Sequence, residues 1–368
     1  MQATPHFRIP IAVALSALCT VALCGCSAGG AGDAQQGDRT TPTPTGASGA
    51  SASSSPMTLP SGGSGNARNG GGGAFDMLNV PSANAGAPAA GDPISVPLGA
   101  LPPGQFVTAN SGKYLLGPKI TAAGVTDTGL DAGAGCNVIV GVVRDFRGAN
   151  EPGGHPDFEL FSGWDVTRDL VGRELGPTGK PSYTSKCDTA AVNTACPYGK
   201  QTTSAAAFDQ WYRYTSGVNQ PYLIYFEFGP NAGNVVTFDS QLFFPLDGQG
   251  FGNSGTGEDG QSHNFHFTTE LHTKFQYKGG ETFKFTGDDD LWIFINGKLV
   301  LDVGGLHPAV SRTVDIDAFS VALGMTKGHV YPLELFHAER HTIASHFRVD
   351  STLTFVDCGT IPPDVVVK

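Results

Sequence analysis

Three consecutive β-strands are predicted by the hydrophobic pattern of residues 281–303. The first strand alternates, with Phe283 and Phe285 set between polar neighbours, as in a strand with one buried face. The second strand, residues 291–295, is apolar without interruption, which is typical of a strand covered on both faces. An Asn-Gly pair at 296–297 supplies the two residues that accept positive φ in a tight hairpin, so the third strand returns directly from it.

Other short segments of the chain show strand patterns as well. They lie at residues 138–143, 222–228, 241–244, 264–277, 313–317, 330–336 and 347–355. Helical periodicity is nearly absent, and short helices are expected only at 208–212 and at 318–323, before Gly324. A bulge or bend is expected near Thr269. Many short strands separated by Gly, Pro and Asn turns predict an all-β fold, an antiparallel β-sandwich with jelly-roll-like topology and little helix.

Composition divides the chain into regions of different character. The 368 residues include 51 Gly, and only 15% of them are charged. Residues 26–93 are rich in Gly, Ser, Thr and Pro without an apolar period, so they are expected to form a disordered, flexible tether. Residues 94–135 are an irregular lead-in, residues 136–358 the folded domain, and residues 359–368 a C-terminal tail.

The first 25 residues have the pattern of an export signal. Arg8 precedes an apolar run from Ile9 to Leu23, which is too short for a membrane span. The run ends in Leu-Cys-Gly-Cys, which resembles a bacterial lipobox with Cys26 as the lipidated residue. This resemblance implies an exported lipoprotein, held to the membrane by its lipid alone, at the outer membrane or cell surface of a Gram-negative bacterium. The alternative is an ordinary signal peptide followed by a stray cysteine.

Four cysteines follow Cys26, and an even number in an exported protein predicts two disulfide bonds with three possible connectivities. We favour Cys187–Cys196, which closes a short polar loop, and Cys136–Cys358, which joins the first strand of the domain to the last. The net charge is −11, and no cluster of Lys or Arg is present. This charge pattern argues against nucleic acid and anionic membrane surfaces as partners.

Three adjacent carboxylates, Asp288, Asp289 and Asp290, lie between the first two strands of the central stretch. Neighbouring carboxylates repel one another, so a packed turn gains no stability from them alone. A Ca²⁺ ion would remove the repulsion, because calcium takes oxygen ligands from carboxylates and loop carbonyls. The alternative is a solvated turn in which Asp merely favours the bend.

The stretch Gly-Asp-Asp-Asp-Leu-Trp-Ile-Phe-Ile-Asn-Gly-Lys-Leu-Val-Leu-Asp-Val-Gly-Gly-Leu-His, residues 287–307, resembles the signature of the fibro-slime domain of secreted bacterial and slime-mould proteins. The segments Arg-Asp-Phe at 144–146, His-Pro-Asp-Phe-Glu at 155–159 and Asn-Phe-His-Phe-Thr-Thr-Glu at 264–270 resemble the same family. That family is similar to the β-sandwich of the anthrax protective antigen and of yeast flocculin lectins. The resemblance therefore implies a sandwich that carries a carbohydrate site.

In the lectin members, an Asp-Asp pair joined by a cis peptide holds a Ca²⁺ ion that contacts sugar hydroxyls. That pair falls on Asp288 and Asp289, so the resemblance implies a Ca²⁺ cofactor at the acidic turn, with Asp290 as a third candidate ligand. The flocculin ligand set also includes an Asn on a second loop, and no Asn lies between residues 337 and 346. The ligand set therefore does not transfer as a whole.

The second loop, residues 337–346, is expected to meet the acidic turn at one end of the sandwich. The candidate carbohydrate-binding residues are Glu339, Arg340, His341 and His346 of this loop, together with His307 at the exit of the third strand. Trp292 lies inside an apolar strand and is assigned to the core. Asp302, at the end of the returning strand, is assigned to a structural turn.

Together with the sequence patterns, the family resemblance implies a cell-surface adhesin that binds polysaccharide or another glycan with the help of Ca²⁺. The opposed hypothesis is a glycoside hydrolase that uses carboxylates of the acidic turn together with Glu339. We expect no catalysis, because adjacent Asp residues suit a metal better than an acid–base pair, and no Gly-x-Ser-x-Gly or His-Glu-x-x-His motif is present. A third hypothesis is a structural matrix protein with no sugar ligand.

Overall fold

The computed structural model describes residues 94–96, 106–121, 125–127, 136, 138–189, 191–362 and 364. The expected signal peptide (1–25), the candidate lipidation site Cys26 and the expected tether (26–93) lie outside the described residues. Among the residues that are described, no helix is both long enough and apolar enough to cross a membrane.

Strands account for most of the regular structure. They are β1 Ile94–Val96, β2 Val107–Thr108, β3 Lys113–Lys119, β4 Val125–Asp127, β5 Val138–Asp145, β6 Val171–Leu175, β7 Pro181–Tyr183, β8 Gln220–Glu227, β9 Gly229–Pro230, β10 Val236–Ser240, β11 Gly255–Thr256, β12 Ser262–His263, β13 Phe267–Gln276, β14 Thr282–Gly287, β15 Asp290–Ile295, β16 Lys298–Val303, β17 Val310–Asp315, β18 Val330–Glu339, β19 Phe347–Ser351 and β20 Thr354–Asp357. The helices are α1 Ala205–Asp209, α2 Ile316–Phe319 and a single 3₁₀ turn at Ala232–Asn234. The predicted all-β class is confirmed.

Two antiparallel sheets face each other. The larger runs β2-β3-β8-β5-β13-β18-β15-β16-β6-β7, with β20 also pairing with β13, and the smaller runs β17-β14-β19-β10-β9. One hydrophobic core lies between the sheets, and it includes Phe285 and Phe347 of the smaller sheet with Phe267 and Ile293 of the larger. The predicted antiparallel sandwich is therefore confirmed.

The uninterrupted apolar strand β15 is covered on both faces, as its sequence predicts. Leu291 and Ile293 belong to the core between the sheets. Trp292 and Phe294 point to the opposite face, where they pack in a second core with residues such as Phe208 from the chain before β8. The hairpin after β15 also has its expected form, since the two turn residues have φ angles of 50° at Asn296 and 73° at Gly297.

Several local predictions are wrong. β13 pairs with β18 in continuous register from Phe267 to Gln276, so no bulge occurs at Thr269. The apolar residues of this strand all have odd numbers and share one face, which removes the reason for a bend. Residues 241–244 form a loop, although Phe243 and Phe244 are buried.

Other boundaries move by a few residues. α1 begins before the expected segment 208–212, and α2 covers only the start of the expected helical region, with Gly324 in the turn that follows. Part of the expected lead-in, β3, pairs with β8 in the larger sheet. The sandwich thus extends on the N-terminal side of Cys136.

Both favoured disulfide bonds are present. Cys187–Cys196 closes a loop with a sequence separation of 9 residues, and Cys136–Cys358 spans a separation of 222 residues. The second bond lies where the start of β5 and the end of β20 meet, and the backbone N–H of Cys136 donates a 3.2 Å hydrogen bond to the carbonyl of Phe355. The predicted connectivity is confirmed.

His337 is buried in the core between the sheets, and neither ring nitrogen has a hydrogen-bond partner among the described residues. Burial, reinforced by His307, lowers the pKa of His337 to about 3. An unfolded chain takes up this proton near pH 6.5. Between pH 6.5 and pH 3 the unfolded state binds this proton and the folded state does not. The free energy of unfolding therefore falls by about 1.4 kcal/mol for each pH unit over this range.

We expect His337→Leu to flatten this acid dependence. Urea unfolding at pH 6.5, 5.5 and 4.5 would show the wild-type free energy of unfolding falling more steeply than that of the variant. Parallel curves for the two proteins would contradict the assignment.

Candidate functional site

Three connections cross from one sheet to the other, side by side, at one end of the sandwich. The acidic turn joins β14 to β15, residues 304–309 join β16 to β17, and residues 340–346 join β18 to β19. β15 lies between β16 and β18, and β14 lies between β17 and β19. The acidic turn is therefore the middle crossover. The second loop is shorter than predicted, because residues 337–339 belong to β18.

Hydrogen bonds join the middle crossover to both of its neighbours. The N–H of Asp288 donates to the carbonyl of His346 at 3.4 Å, and the N–H of Asp289 donates to the carbonyl of His307 at 3.2 Å. The Asp289 carboxylate accepts from the backbone N–H groups of Arg340 and His341, at 2.8 and 3.1 Å. The acidic turn is thus fixed by backbone donors from both sides.

Asp290 has a different environment from its two neighbours, and its assignment as a metal ligand is corrected. Its carboxylate accepts from the N–H of Gly305 at 2.6 Å and from Nε of Arg340 at 2.6 Å. It is fully buried. As the first residue of β15, Asp290 shares the outer strand face with Trp292. Its charge is neutralised within the protein.

Arg340 is also fully buried, so its assignment to carbohydrate binding is corrected. Its Nη1 donates to the carbonyls of Asp157 and Gln201, at 3.1 and 2.9 Å. The guanidinium lies 4.6 Å from the ring centre of Trp211, a cation–π distance. Arg340 therefore joins the crossovers to the segments before β8 that contain Asp157 and Gln201.

A cavity of about 340 Å³ opens at the three crossovers. Its lining residues are Ser162, Gly163, Trp164, Glu258, Asp288, Asp289, Leu306, His307, Pro308, His341, Thr342, Ile343 and Ala344. Four predicted site residues are among them: Asp288, Asp289, His307 and His341. The structure brings these four together from three separate segments of the chain.

Glu339 lies beneath the acidic turn and does not line the cavity, which corrects its assignment to sugar contact. Neither of its carboxyl oxygens has a hydrogen-bond partner in the part of the chain that the structure describes. Burial, together with the carboxylates of Asp289 and Asp288, raises the pKa of Glu339 well above its usual range. Burial and Asp290 raise the pKa of Asp289 to about 6, although Arg340 opposes this shift. The site thus concentrates carboxyl groups that a nearby cation would stabilise in their charged form.

The predicted histidines have separate roles. Nδ1 of His346 lies 2.8 Å from the Asp288 carboxylate, and this hydrogen bond raises the pKa of His346. His346 therefore supports Asp288 and is not among the residues that line the cavity. His307 is buried, with Nδ1 3.0 Å from the carbonyl of Pro308, and His341 presents a partly exposed ring.

Asp288 and Asp289 are the described residues best placed to hold a cation. No group of three or more His, Cys, Asp or Glu side chains among the described residues is arranged to hold a metal ion. Calcium takes about six to eight oxygen ligands, so these two carboxylates would have to be supplemented by backbone carbonyls, water or a bound ligand. The Asp288–Asp289 peptide is trans, unlike that of the lectin pair, and the described chain has its cis peptide between Thr342 and Ile343.

Sequence reasoning missed two contributors to the site. Trp164 and Glu258 line the cavity from loops that precede the acidic turn. An aromatic residue in a Gly-containing loop, Phe-Ser-Gly-Trp at 161–164, was the available signal for Trp164. Nothing in the sequence indicates which end of the sandwich this loop reaches.

Glu159 holds the third crossover in place. Its carboxylate accepts from the N–H and the hydroxyl of Thr342, at 3.0 and 2.8 Å, and lies 3.1 Å from Nε2 of His266. Although burial opposes the shift, these hydrogen bonds lower the pKa of Glu159 to about 2. Glu159 is therefore charged at neutral pH and orders the loop that carries His341.

Comparison with known families agrees with this architecture. Residues 224–364 match the family described as the PA14 domain. The matched segment contains all three crossovers, from β14 to β19, and therefore both cavity-lining carboxylates of the acidic turn. The loop that carries Trp164 precedes it.

Relatives of known sequence extend the similarity beyond the PA14 domain. The chain is 36% identical over 230 residues to protein psiR of Dictyostelium discoideum, which covers 58% of this chain and 22% of psiR. It is 36% identical over 203 residues to protein psiD of the same organism, covering 54% of this chain and 39% of psiD. The chain thus spans well under half the length of these relatives.

Two solved structures are similar in part. One is described as a PA14 sugar-binding domain from an RTX adhesin, with 11% identity and a TM-score of 0.19 over 34% of this chain and 78% of that one. The other is the PA14 domain of the MpAFP antifreeze protein, with 11% identity and a TM-score of 0.21 over 64% of this chain and 98% of that one.

Proposed function

We propose that this protein is a carbohydrate-binding, adhesin-like surface protein whose cavity at the three crossovers recognises a glycan with the help of Ca²⁺. The observation that carries the proposal is the position of Asp288 and Asp289. These two residues line the cavity from the middle crossover, within the segment that matches the PA14 domain. They correspond to the Asp-Asp pair of the flocculin-type lectins.

The surroundings of the pair support a cation. Asp289 and Glu339 both have raised pKa values in the metal-free protein, because burial and neighbouring carboxylates penalise their charged forms. Asp288 and Asp289 would hold the Ca²⁺ ion, and the ion would polarise sugar hydroxyls. His341, with its exposed ring edge at the cavity, would hydrogen-bond to the same sugar. A sugar supplies the further oxygen ligands that calcium prefers.

Binding is favoured over glycoside hydrolysis by the position of Glu339. The hydrolase hypothesis requires Glu339 to reach the glycosidic bond together with a carboxylate of the turn. Glu339 is fully buried and is absent from the cavity lining. The cavity therefore offers the neighbouring pair Asp288 and Asp289, which suits a metal, together with Glu258 on a separate loop.

The proposal includes export and attachment to a membrane through a lipid on Cys26, with residues 26–93 as the tether. The sequence pattern supports this attachment, whereas relatives from Dictyostelium discoideum lend no support to a Gram-negative outer membrane.

Fatty-acid labelling of the full chain should mark the wild-type protein and leave a Cys26→Ser variant unlabelled.

We expect Asp289→Asn to abolish calcium-dependent glycan retention. The substitution removes a carboxylate ligand but keeps the size of the side chain, so the metal-free protein should melt within a few degrees of the wild type. Calorimetry with CaCl₂, followed by a glycan array with and without chelator, measures both effects. Asp209→Asn, at an exposed carboxylate outside the cavity, is the matched control.

Two results would contradict the proposal. Glycan retention that is unaffected by chelator and by Asp289→Asn would remove calcium from the site. Turnover of a polysaccharide that is lost with Glu339→Gln would establish hydrolysis in place of binding.

A further inference from the structure

The side chain of Trp164 is unusually exposed for a tryptophan in a folded domain. It is 76% exposed and lines the cavity, where Ile343 is 56% exposed. The other two tryptophans of the chain, Trp211 and Trp292, are fully buried. Leaving an indole in water forfeits the favourable free energy of burying its large apolar surface. Large apolar side chains exposed together at a cavity mark a binding surface.

The backbone next to Trp164 is held against the loop that contains Leu306. A side chain at Gly163 would place Cβ 2.0 Å from the carbonyl oxygen of Leu306, so only glycine permits this close approach of the two loops. The Gln201 side chain joins the same loops, donating to the carbonyl of Ser162 at 3.3 Å and accepting from the N–H of Leu306 at 3.2 Å. The backbone that carries Trp164 therefore needs little further ordering when a ligand binds.

The charges of the cavity restrict the chemistry of its occupant. Among the residues that the structure describes, its lining carries three carboxylates, Glu258, Asp288 and Asp289, and contains no Lys or Arg. The two charges of a Ca²⁺ ion would be balanced by Asp288 and Asp289, so Glu258 would leave the cavity with a net negative charge that repels an anionic sugar. A neutral pyranose presents hydroxyls on its edge and an apolar face of C–H groups. Such a ring matches a cavity whose lining contains both carboxylates and an indole.

We propose that Trp164 is a specificity-determining residue that stacks on the apolar face of a neutral pyranose ring, with Ile343 beside it. The proposal rests on the glycan-binding function stated above and assigns the sugar class. This stacking surface comes from a loop outside residues 224–364, so the chain before the PA14 domain completes the site.

Tryptophan fluorescence tests the proposal directly, because Trp164 is the only solvent-exposed tryptophan of the three. The full chain in CaCl₂ is titrated with the methyl glycosides of glucose, galactose and mannose, and with glucuronic acid as the anionic probe. At least one neutral glycoside should shift the emission to the blue and protect the protein from acrylamide quenching. Glucuronic acid should produce a smaller change. The Trp164→Phe variant should lack the quenchable component.

The affinity of two variants completes the test. Trp164→Ala should weaken the binding of the neutral glycoside about tenfold, since an aromatic contact of this kind contributes about 1.4 kcal/mol, and Trp164→Phe should recover part of the loss. Calcium affinity and thermal melting should stay unchanged. Tyr214→Ala, at an exposed aromatic residue outside the cavity, is the control.

The outcomes separate this inference from the function on which it rests. If the wild type retains glycans in calcium but Trp164→Ala binds equally well, or quenching is unchanged on binding, the stacking role is wrong and the function stands. Tighter binding of glucuronic acid than of any neutral glycoside would overturn the sugar class. If the wild type retains no glycan, with or without calcium, both proposals fail.

Discussion

Replacing both Cys136 and Cys358 with serine is expected to lower the free energy of unfolding by about 5 kcal/mol, if chain entropy dominates. The bond joins residues separated by 222 positions, so in the unfolded chain it closes a loop that includes most of the folded domain. Removing it frees that loop in the unfolded state and leaves the folded contacts largely in place. Urea unfolding of the two proteins under oxidising conditions measures the difference.

The second disulfide is an internal control for this explanation. Cys187 and Cys196 are separated by only 9 positions, and the same relation predicts a loss of about 2.5 kcal/mol when both become serine. The larger loop should therefore contribute roughly twice as much as the smaller one. Equal losses in the two variants, or a larger loss for the short loop, would show that native packing around the sulfur atoms decides the effect.

Arg340→Ala is expected to destabilise the domain by about 3–5 kcal/mol, because it leaves the buried Asp290 carboxylate without its positive partner. The pair is fully buried, and its Nε–carboxylate distance is 2.6 Å. The same substitution removes the donors to the carbonyls of Asp157 and Gln201. Chemical denaturation of the metal-free protein measures the loss, and the cavity loops should become more sensitive to protease.

A double variant separates the charge from the packing. Arg340→Met with Asp290→Asn removes both charges and keeps much of the side-chain volume, so it should be clearly more stable than Arg340→Ala. If the double variant loses as much stability as Arg340→Ala, the hydrogen bonds to the two carbonyls account for the effect, and the ion pair does not.

The paired roles of Asp289 and Asp290 illustrate how a single residue step separates function from structure. Both belong to one acidic run in the sequence, yet Asp289 lines the cavity and Asp290 forms an internal ion pair. Asp290 is the first residue of β15 and shares a strand face with Trp292, whereas Asp289 precedes the strand and has a φ angle of 52°. The position at which the strand begins therefore decides which carboxylate is available to a ligand.

Much of the fold could be read from local pattern. The alternation around Phe283 and Phe285 predicted β14, the apolar run 291–295 predicted a strand buried on both faces, and Asn-Gly predicted the hairpin. These features depend on neighbouring residues along the chain, so periodicity and turn chemistry suffice. The acidic turn could likewise be predicted as part of the site, because its three carboxylates are consecutive in the sequence.

The remaining features depend on contacts between distant segments. Glu339 is buried because β18 continues to residue 339. Arg340 is buried because the distant segment that contains Asp157 packs over its guanidinium. The presence of Trp164 at the cavity follows from the packing of Gly163 against Leu306. Neither can be deduced from residue type, because both polar and aromatic side chains occur in cores and at surfaces, and only the assembled neighbours determine which environment each one meets.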